Sequence, residues 1–179
     1  MTHQTNPKSA LLERSRFSLG ELPRAKQFEI WKESINCIYS VEMDRKTREA
    51  GFVANLNSWR HRDLLMIEAQ SCSQSFSRTS QMIAADGMDH YNIQLYTDGG
   101  VKSEIGIGGD VLQPGGLLLL DLSQRTEAQT SDGFKSMHLF LPRHLVEDHL
   151  THPDDHNLRF LSERDPLVSI LFQQILALN

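Results

Sequence analysis

The stretch GIGGDVLQPGG at residues 106–116 comes closer than any other part of the sequence to a ligand-binding loop. A dinucleotide-binding loop needs the pattern G-x-G-x-x-G between a strand and a helix, so that the helix N-terminus meets the phosphates. Gly106 and Gly108 fit this pattern, but Val111 stands where the third glycine is required. The residues that follow, LLLLD, are typical of a strand, and the Gly-Lys-Ser/Thr of a P-loop is absent. The sequence therefore argues against a phosphate site here.

A metal site is the second chemistry to test in this loop. Its spacing resembles the second signature of the cupin superfamily, with Gly108, Pro114 and Gly116 at the matching positions. Leu119 stands where that signature has its histidine and Ser123 where it has its asparagine, and no H-x-H pair occurs in the sequence. Because a metal needs several convergent nitrogen or oxygen ligands, we expect a cupin-like scaffold without metal or other cofactor.

Histidines outside this loop are the remaining candidates for metal ligands. In the run HLVEDHLTHPDDH, His149 and His152 could share one face of a helix, with His156 close by. We favour a solvated helix end and loop, where Asp and His are common. His90 and His138 lie on predicted strands, and we expect each to be a partly buried or pocket histidine. The sequence thus predicts no metal ligands and no catalytic residues.

Alternation of apolar and polar residues predicts the elements that position these side chains. Eight segments within residues 51–142 have the pattern of short strands separated by turns. The turn TDGG is the clearest of these signals, because Asp98-Gly99 tolerates the positive φ that a hairpin needs. Short strands with few helices between them are typical of a barrel or sandwich. We predict a mainly β fold, a cupin-like antiparallel jelly-roll barrel with an N-terminal helix and C-terminal helices.

Composition patterns divide the chain into three parts. We expect a flexible arm at residues 1–20, a helix plus barrel at 21–142, and a helical dimerisation or linker segment at 143–179. The N-terminal helix begins at Pro23, and the segments RHLVEDHL and ERDPLVSILFQQILALN form the C-terminal helices. Because the last helix stops within its amphipathic pattern, we expect a domain of a longer protein.

Charge and hydropathy limit the partners of the chain. Its 179 residues carry a net charge of −5, without the basic surface that neutralises DNA phosphates. No signal-peptide core is visible, and no apolar run approaches the about 18 residues of a membrane span. Cys37 and Cys72 lack CxxC spacing and are expected to be reduced thiols. We expect a cytoplasmic protein that does not associate with membranes.

The phase of the strands suggests candidate pocket residues. If the apolar strand faces point into the barrel, Tyr91, Ile93 and Met137 would line a pocket together with Met66. Glu68 lies on the same face as Met66 and could supply a polar anchor. Plain core is the alternative that we favour for these residues, and a slip of one residue would exchange the inner face for the outer one.

Several motifs over residues 20–178 together resemble the effector-binding domain of AraC-type transcriptional regulators. They are a strand of paired aromatic and aliphatic residues, a Gly-Asp turn ending in Pro-Gly, an Asp-x-Ser segment and an L-P-R-x-x-L ending. The residues that carry the resemblance are Tyr91, Gly109, Asp110, Pro114, Gly115, Asp121, Ser123, Phe134, Leu141, Pro142, Arg143 and Leu145.

This resemblance implies an unidentified small-molecule effector in or near the barrel and a homodimer formed through the helices that follow it. Regulators of this type bind DNA through a C-terminal pair of helix-turn-helix units, which this chain lacks. We therefore interpret the chain as a ligand-sensing and dimerisation domain that reaches DNA only through that missing part, and not as an enzyme. The dimer contact implied by the resemblance would use Leu167, Ile170, Leu171, Gln174 and Leu178.

Two alternatives stay open on the sequence alone. One is an atypical cupin enzyme, a dioxygenase or isomerase that binds its metal through unusual ligands. The other is a stand-alone protein that binds a small molecule.

Overall fold

The computed structural model describes residues 13–20, 22–103, 111–131 and 133–177. Within these ranges the helices are α1 (Arg24–Ile35), α2 (Arg45–Gly51), α3 (Ser80–Asp86) and α4 (Pro166–Ala177). The strands in the same ranges are β1 (Glu13–Ser18), β2 (Ser40–Glu42), β3 (Ala54–His61), β4 (Leu64–Cys72), β5 (Ser75–Arg78), β6 (His90–Asp98), β7 (Val101–Lys102), β8 (Val111–Leu112), β9 (Leu117–Asp121), β10 (Thr126–Thr130), β11 (Gly133–Pro142) and β12 (Arg159–Leu161).

The strands pair in two antiparallel sheets, which confirms the predicted mainly β fold with helices at both ends. The larger sheet has the order β1-β3-β4-β11-β6-β9-β12, and the smaller one has the order β2-β5-β10-β7-β8. The main core lies between the sheets, where Val41 and Phe76 of the smaller sheet pack with Leu118 and Leu120 of the larger one. Trp31 of α1 joins the same core. The sheets and α1 together therefore enclose one apolar interior.

Each of the eight predicted strand segments contains a strand, namely β3 to β7 and β9 to β11. Alternation identified them because each has one face in contact with an apolar layer. The sequence did not reveal β1, β2, β8 or β12. These four strands are short or exposed, so that an apolar face does not mark them.

The turn TDGG connects the two sheets instead of closing a hairpin. β6 ends at Asp98 in the larger sheet, and β7 begins at Val101 in the smaller one. Gly99 has the expected positive φ, +66°, and Asp98 Oδ1 accepts its N–H at 2.9 Å. A Cβ on Gly99 would lie 2.1 Å from the carbonyl oxygen of Gly133. The predicted hairpin is therefore wrong. The chain instead crosses from one sheet to the other at Gly99, where there is no room for a side chain.

Part of the predicted flexible arm is an edge strand. β1 pairs with β3, from Glu13 opposite Arg60 to Ser18 opposite Asn55. Nearly all of its residues are exposed, so β1 has no buried face that would produce an alternating sequence pattern. Residues 1–12 lie outside the described part of the chain. The division into residues 21–142 and 143–179 stays a prediction.

The segment RHLVEDHL differs from the predicted short α-helix. It consists of two 3₁₀ turns, Arg143–Leu145 and Glu147–His149, separated by Val146 with φ −131°. The Arg143 side chain is drawn into the protein by several hydrogen bonds, and the chain bends around it. The segment therefore forms two single 3₁₀ turns and not a continuous α-helix.

The terminal helix α4 forms as predicted and creates a second apolar layer. Val168 and Ile175 pack against Met66, Leu95 and Met137 of the larger sheet. These sheet residues alternate with those that face the barrel interior, so α4 covers the outer face of the larger sheet. Among the described residues, none of the helices has the length and apolar character needed to cross a membrane.

Candidate functional site

Polar side chains of β6 and β11 lie where the larger sheet faces the barrel interior. Asn92 and Gln94 of β6 and Ser136 of β11 are each at most 1% exposed. A buried amide or hydroxyl costs free energy unless it finds hydrogen-bond partners. The barrel interior therefore contains a buried polar part beside its apolar core.

Three residues predicted to bind the effector lie on the opposite side of this sheet. Met66 and Met137 are buried beneath α4, and Ile93 packs against the same cluster. The assumption that the apolar faces of β6 and β11 point into the barrel is therefore wrong. The physical reason is that α4 packs against the apolar face of these strands, so their polar face lines the interior.

The other two predicted residues are engaged at the rim of this outer face. Glu68 pairs with Lys135 at 3.1 Å and accepts a hydrogen bond from Asn57 at 2.8 Å. The Tyr91 hydroxyl receives a hydrogen bond from Arg143 and donates one to the carbonyl of Pro153 at 2.7 Å. Effector binding by Met66, Glu68, Tyr91, Ile93 and Met137 stays a prediction.

A cavity of about 70 Å³ lies between the two sheets and the C-terminal half of α1. Its apolar wall includes Trp31, Leu56, Ile67, Phe76, Phe134 and Phe140. The polar side chains that line it are Tyr39, Gln74, Gln94, Tyr96, Thr130 and His138. Among the described residues, no Asp, Glu, Lys or Arg contributes to the lining. The cavity thus combines an aromatic wall with uncharged polar groups.

The Tyr39 hydroxyl is the centre of the polar network in this cavity. Its oxygen accepts hydrogen bonds from Asn92 Nδ2 at 2.8 Å and from Gln94 Nε2 at 3.5 Å. The Tyr96 hydroxyl donates to Gln94 Oε1 at 3.0 Å. Burial raises the pKa values of Tyr39 and Tyr96 above the ordinary value for a phenol, so both hydroxyls keep their protons.

The hydrogen bonds of His138 assign its neutral tautomer. Asn92 Nδ2 lies 3.4 Å from His138 Nδ1, and an amide N–H can only donate. Nδ1 is therefore the acceptor, and Nε2–H donates to Ser136 Oγ at 2.9 Å. Burial lowers the pKa of His138 to about 4, so the ring is uncharged at neutral pH. The expectation that His138 is a pocket histidine is confirmed.

The cation nearest to this network is already paired. Arg78, 1% exposed, forms hydrogen bonds with Asp86 at 2.7 and 2.9 Å and donates to the carbonyl of Ile38 at 3.1 Å. Its Nε also donates to the carbonyl of Leu122. The guanidinium therefore ties β5 to neighbouring segments and is not free to bind an anion in the cavity.

Motif residues quoted for the family resemblance meet in a second polar cluster at the end of β11. Arg143 contacts Asp89 and Asp121 at 2.5 Å each, and its guanidinium lies 4.6 Å from the Tyr91 ring centroid. Burial opposes ionisation of Asp121, but hydrogen bonds from Arg143 and Ser123 hold the pKa of this carboxyl below its ordinary value. These residues join β11 to β6 and β9, which is a structural role.

The described part of the glycine loop also has a structural role. Gly115, with φ +90°, donates its N–H to the carbonyl of Tyr96 at 2.8 Å and so ties the turn before β9 to β6. Gly106, Gly108, Gly109 and Asp110 lie outside the described residues. Within the described ranges, no group of three or more His, Cys, Asp and Glu side chains is placed to hold a metal.

The residues predicted for dimerisation occupy the side of α4 next to its buried face. Leu167 is 75% and Ile170 is 59% exposed. Gln174 is also exposed, whereas Leu171 is half-buried against the cluster beneath the helix. Leu178 lies outside the described residues. The helix therefore presents aliphatic side chains to solvent beside the layer that it buries.

Residues 39–178 match the AraC-binding-like domain family. The chain belongs to this family. The AraC-like transcriptional activator CuxR, a solved structure of similar fold, is 26% identical to this AraC-binding-like chain with a TM-score of 0.77. The match covers 92% of this chain and 60% of the CuxR chain, so the chain spans less than two thirds of that activator. The predicted cupin-like architecture is thus confirmed for this AraC-binding-like domain.

Two further comparisons add little to the AraC-binding-like assignment. A candidate mannose-6-phosphate isomerase from Ralstonia eutropha JMP134 is 14% identical, with a TM-score of 0.34 over 46% of this chain and 78% of that chain. This likeness is too weak to support an argument. A search of curated protein sequences gave no match to the chain.

The cavity residues that sequence reasoning missed did leave one signal. In the strand HYNIQLYT, the polar face carries His90, Asn92, Gln94 and Tyr96 without a single charged residue. A solvated strand face usually carries Lys, Glu or Arg. A polar face without charge therefore indicates a buried hydrogen-bonded surface. Tyr39 is not part of this strand, so the pattern did not point to it.

Proposed function

We propose that this chain is the ligand-sensing and dimerisation domain of an AraC-type transcriptional regulator, with the interior cavity as its effector site. Membership of the AraC-binding-like family supports the regulatory role. The observation that carries the effector site is the uncharged polar network of Tyr39, Asn92 and Gln94 beside an aromatic wall. A mostly apolar cavity with a few placed polar groups is the usual form of a small-molecule site.

The strands offer a direct route from the cavity to α4. His138 lines the cavity, while its neighbour Met137 is buried beneath α4. An effector that favours one arrangement of β6 and β11 would therefore alter the support of the helix. Such an effect requires that the effector interact differently with the two arrangements.

The proposed dimer uses the exposed side of α4 in a two-fold contact. Leu167, Ile170, Leu171 and Gln174, with Leu178 beyond the described residues, would face the same helix of a second copy. DNA would be bound by a helix-turn-helix domain outside this chain, because the net charge of −5 does not favour contact with phosphates. We place such a regulator in the cytoplasm, where it reaches DNA.

A thermal-shift screen of small molecules tests the effector site. We expect compounds that raise the melting temperature of the wild-type chain, since a ligand that binds only the folded state stabilises it. Ala69→Leu, which fills the cavity from β4, should abolish these shifts. Met137→Leu changes a side chain on the other face of the same sheet and should leave them intact. Hits that stabilise Ala69→Leu as strongly as wild type would contradict the proposed site.

We further propose that the chain has no catalytic activity of its own. Metal analysis of the purified protein after dialysis tests this proposal against an atypical cupin enzyme. Stoichiometric iron, manganese, zinc or nickel would contradict it.

A further inference from the structure

We propose that the cavity binds an uncharged ligand with an apolar body and one hydrogen-bond acceptor, which receives the proton of the Tyr39 hydroxyl. This inference rests on the proposed function, because it takes the cavity as the effector site. It adds the chemical class of the ligand.

The size of the ligand follows from the cavity volume. A water molecule needs roughly 10–15 Å³ of cavity measured in this way. The cavity of about 70 Å³ therefore encloses about five to seven non-hydrogen atoms of a ligand. Ile35, Leu56 and Ile67 in the wall are only half-buried, so the cavity meets solvent beside them. A longer ligand can extend through that side, but its polar end must fit the enclosed part.

The preference for an acceptor follows from the bonds of Tyr39. Its oxygen accepts from the amide groups of Asn92 and Gln94, which occupies its lone pairs. In the part of the chain that the structure describes, no acceptor takes the proton of the Tyr39 hydroxyl. Tyr39 lines the cavity, so a carbonyl, ether or hydroxyl oxygen of a ligand that reaches this hydroxyl can accept its proton.

A second unpaired atom lies in the same network. Asn92 is completely buried, and its Oδ1 has no hydrogen-bond partner among the described residues. Its Nδ2 is committed to Tyr39 and His138. Buried side-chain oxygens without a partner are uncommon in folded proteins. Asn92 does not itself line the cavity, but an incomplete hydrogen-bond network next to Tyr39 is what a plain core avoids.

The exclusion of charged ligands follows from the lining. A buried anion or cation loses its hydration, and an opposite charge must offset this cost in free energy. No lining residue in the described ranges supplies a fixed charge, and His138 is neutral. Arg78 and Asp86 neutralise each other. A carboxylate or ammonium group would therefore enter the cavity without a counter-charge.

Three probes of nearly equal size test the ligand class: hexanamide, hexanoate and hexylammonium at neutral pH. The sequence has two tryptophans, so Trp59→Phe leaves Trp31 in the cavity wall as the sole reporter of fluorescence. We expect hexanamide to change this fluorescence with a dissociation constant lower by about tenfold or more than those of the two charged probes. Saturation-transfer NMR on the unmodified chain repeats the comparison without any substitution.

Two variants separate the possible outcomes. Tyr39→Phe should weaken hexanamide binding by about threefold or more, because it removes the donor. Ala69→Leu should abolish binding. If hexanoate binds as tightly as hexanamide and Ala69→Leu blocks it, the ligand class is wrong but the effector site stands. If none of the probes binds the wild-type chain, both the ligand class and the assignment of the cavity are overturned.

Discussion

Gln94 and Leu95 are consecutive residues of β6 whose side chains serve two different layers. Gln94 lines the interior cavity and donates to the Tyr39 hydroxyl, whereas Leu95 is buried beneath α4. Only the thickness of one strand separates the two layers. A change on the cavity side therefore acts on a strand that also supports the terminal helix.

Substitution beneath α4 should lower the stability of the fold. Met137 is 2% exposed and packs in the cluster that α4 covers. We expect Met137→Ala to lower the free energy of unfolding by about 2–5 kcal/mol, because it leaves a space that neighbouring side chains cannot fill. Urea denaturation measures this change. An effect below about 0.5 kcal/mol would mean that α4 does not hold this position.

Substitutions on the exposed side of α4 should weaken the dimer but leave the stability of the monomer nearly unchanged. Leu167→Ala and Ile170→Ala together should change the free energy of unfolding of the monomer by no more than about 1 kcal/mol. The dissociation constant of the dimer should rise on the order of tenfold, since large interface side chains often contribute more than about 1 kcal/mol. Sedimentation equilibrium measures it, with the exposed Ser169→Ala of the same helix as the control. Equal self-association of all variants would contradict the proposed dimer.

Replacement of Arg143 should lower the stability of the fold, because it leaves a buried carboxylate without its counter-charge. Asp121 has no exposed side-chain area, and its carboxylate lies 2.5 Å from the Arg143 guanidinium. Arg143→Met should lower the free energy of unfolding by about 3–5 kcal/mol at neutral pH. The loss should shrink as the pH falls, because protonation relieves the unpaired carboxylate.

The matched control for this variant is an exposed carboxylate that also pairs with Arg143. Asp89 is 60% exposed in its side chain, so Asp89→Asn should cost only about 0–1 kcal/mol. Urea denaturation at neutral and mildly acidic pH compares the two variants. A loss that grows on acidification of Arg143→Met would contradict this explanation.

Protonation of His138 should make stability depend on pH. The pKa of its ring is about 4 in the fold, below the ordinary value of 6.5, so the unfolded chain binds the extra proton first. The free energy of unfolding should therefore fall as the pH drops from about 6.5 towards 4, by an amount on the order of 3 kcal/mol.

The variant His138→Gln should reduce this pH dependence, because glutamine does not titrate. NMR titration of the ring gives the pKa directly. A pKa at or above the ordinary histidine value would contradict the neutral, enclosed state of His138.

Crowding at Gly99 predicts a large effect from a single methyl group. Gly99→Ala should cost more than about 1–2 kcal/mol, because the residue has positive φ and its Cβ would meet the Gly133 carbonyl oxygen at 2.1 Å. Gly133→Ala is the matched control, since a Cβ there meets no atom within 4 Å. Equal stability of the two variants by thermal denaturation would contradict the role of this turn.

The sequence predicted the existence of the main strands better than their orientation. Strand alternation and helical periodicity depend only on residues close in sequence, so they revealed the eight segments and the helix α4. Which face points inward depends on what covers the other face, and α4 lies far along the chain from Met66. The prediction therefore placed Met66 and Met137 in the barrel, whereas the structure places them beneath α4.

The polar network was beyond sequence reasoning for a related reason. Tyr39 and Asn92 are 53 residues apart. They meet only because the smaller sheet, which begins with β2, packs against the larger sheet, which contains β6. The motif residues Tyr91, Asp121 and Arg143 were noticed through the family resemblance, although Tyr91 and Arg143 are 52 residues apart. They form a structural cluster, while the cavity residues have no motif.

Intermolecular NOEs between a bound ligand and labelled methyl groups test the central claim most directly. The ligand would be a hit from the thermal-shift screen, or hexanamide. We predict NOEs to the methyl groups of Ile67 and Ile35, which line the interior cavity. NOEs to the methyl groups of Met66 and Met137 instead would place the ligand on the outer face beneath α4 and would contradict the account.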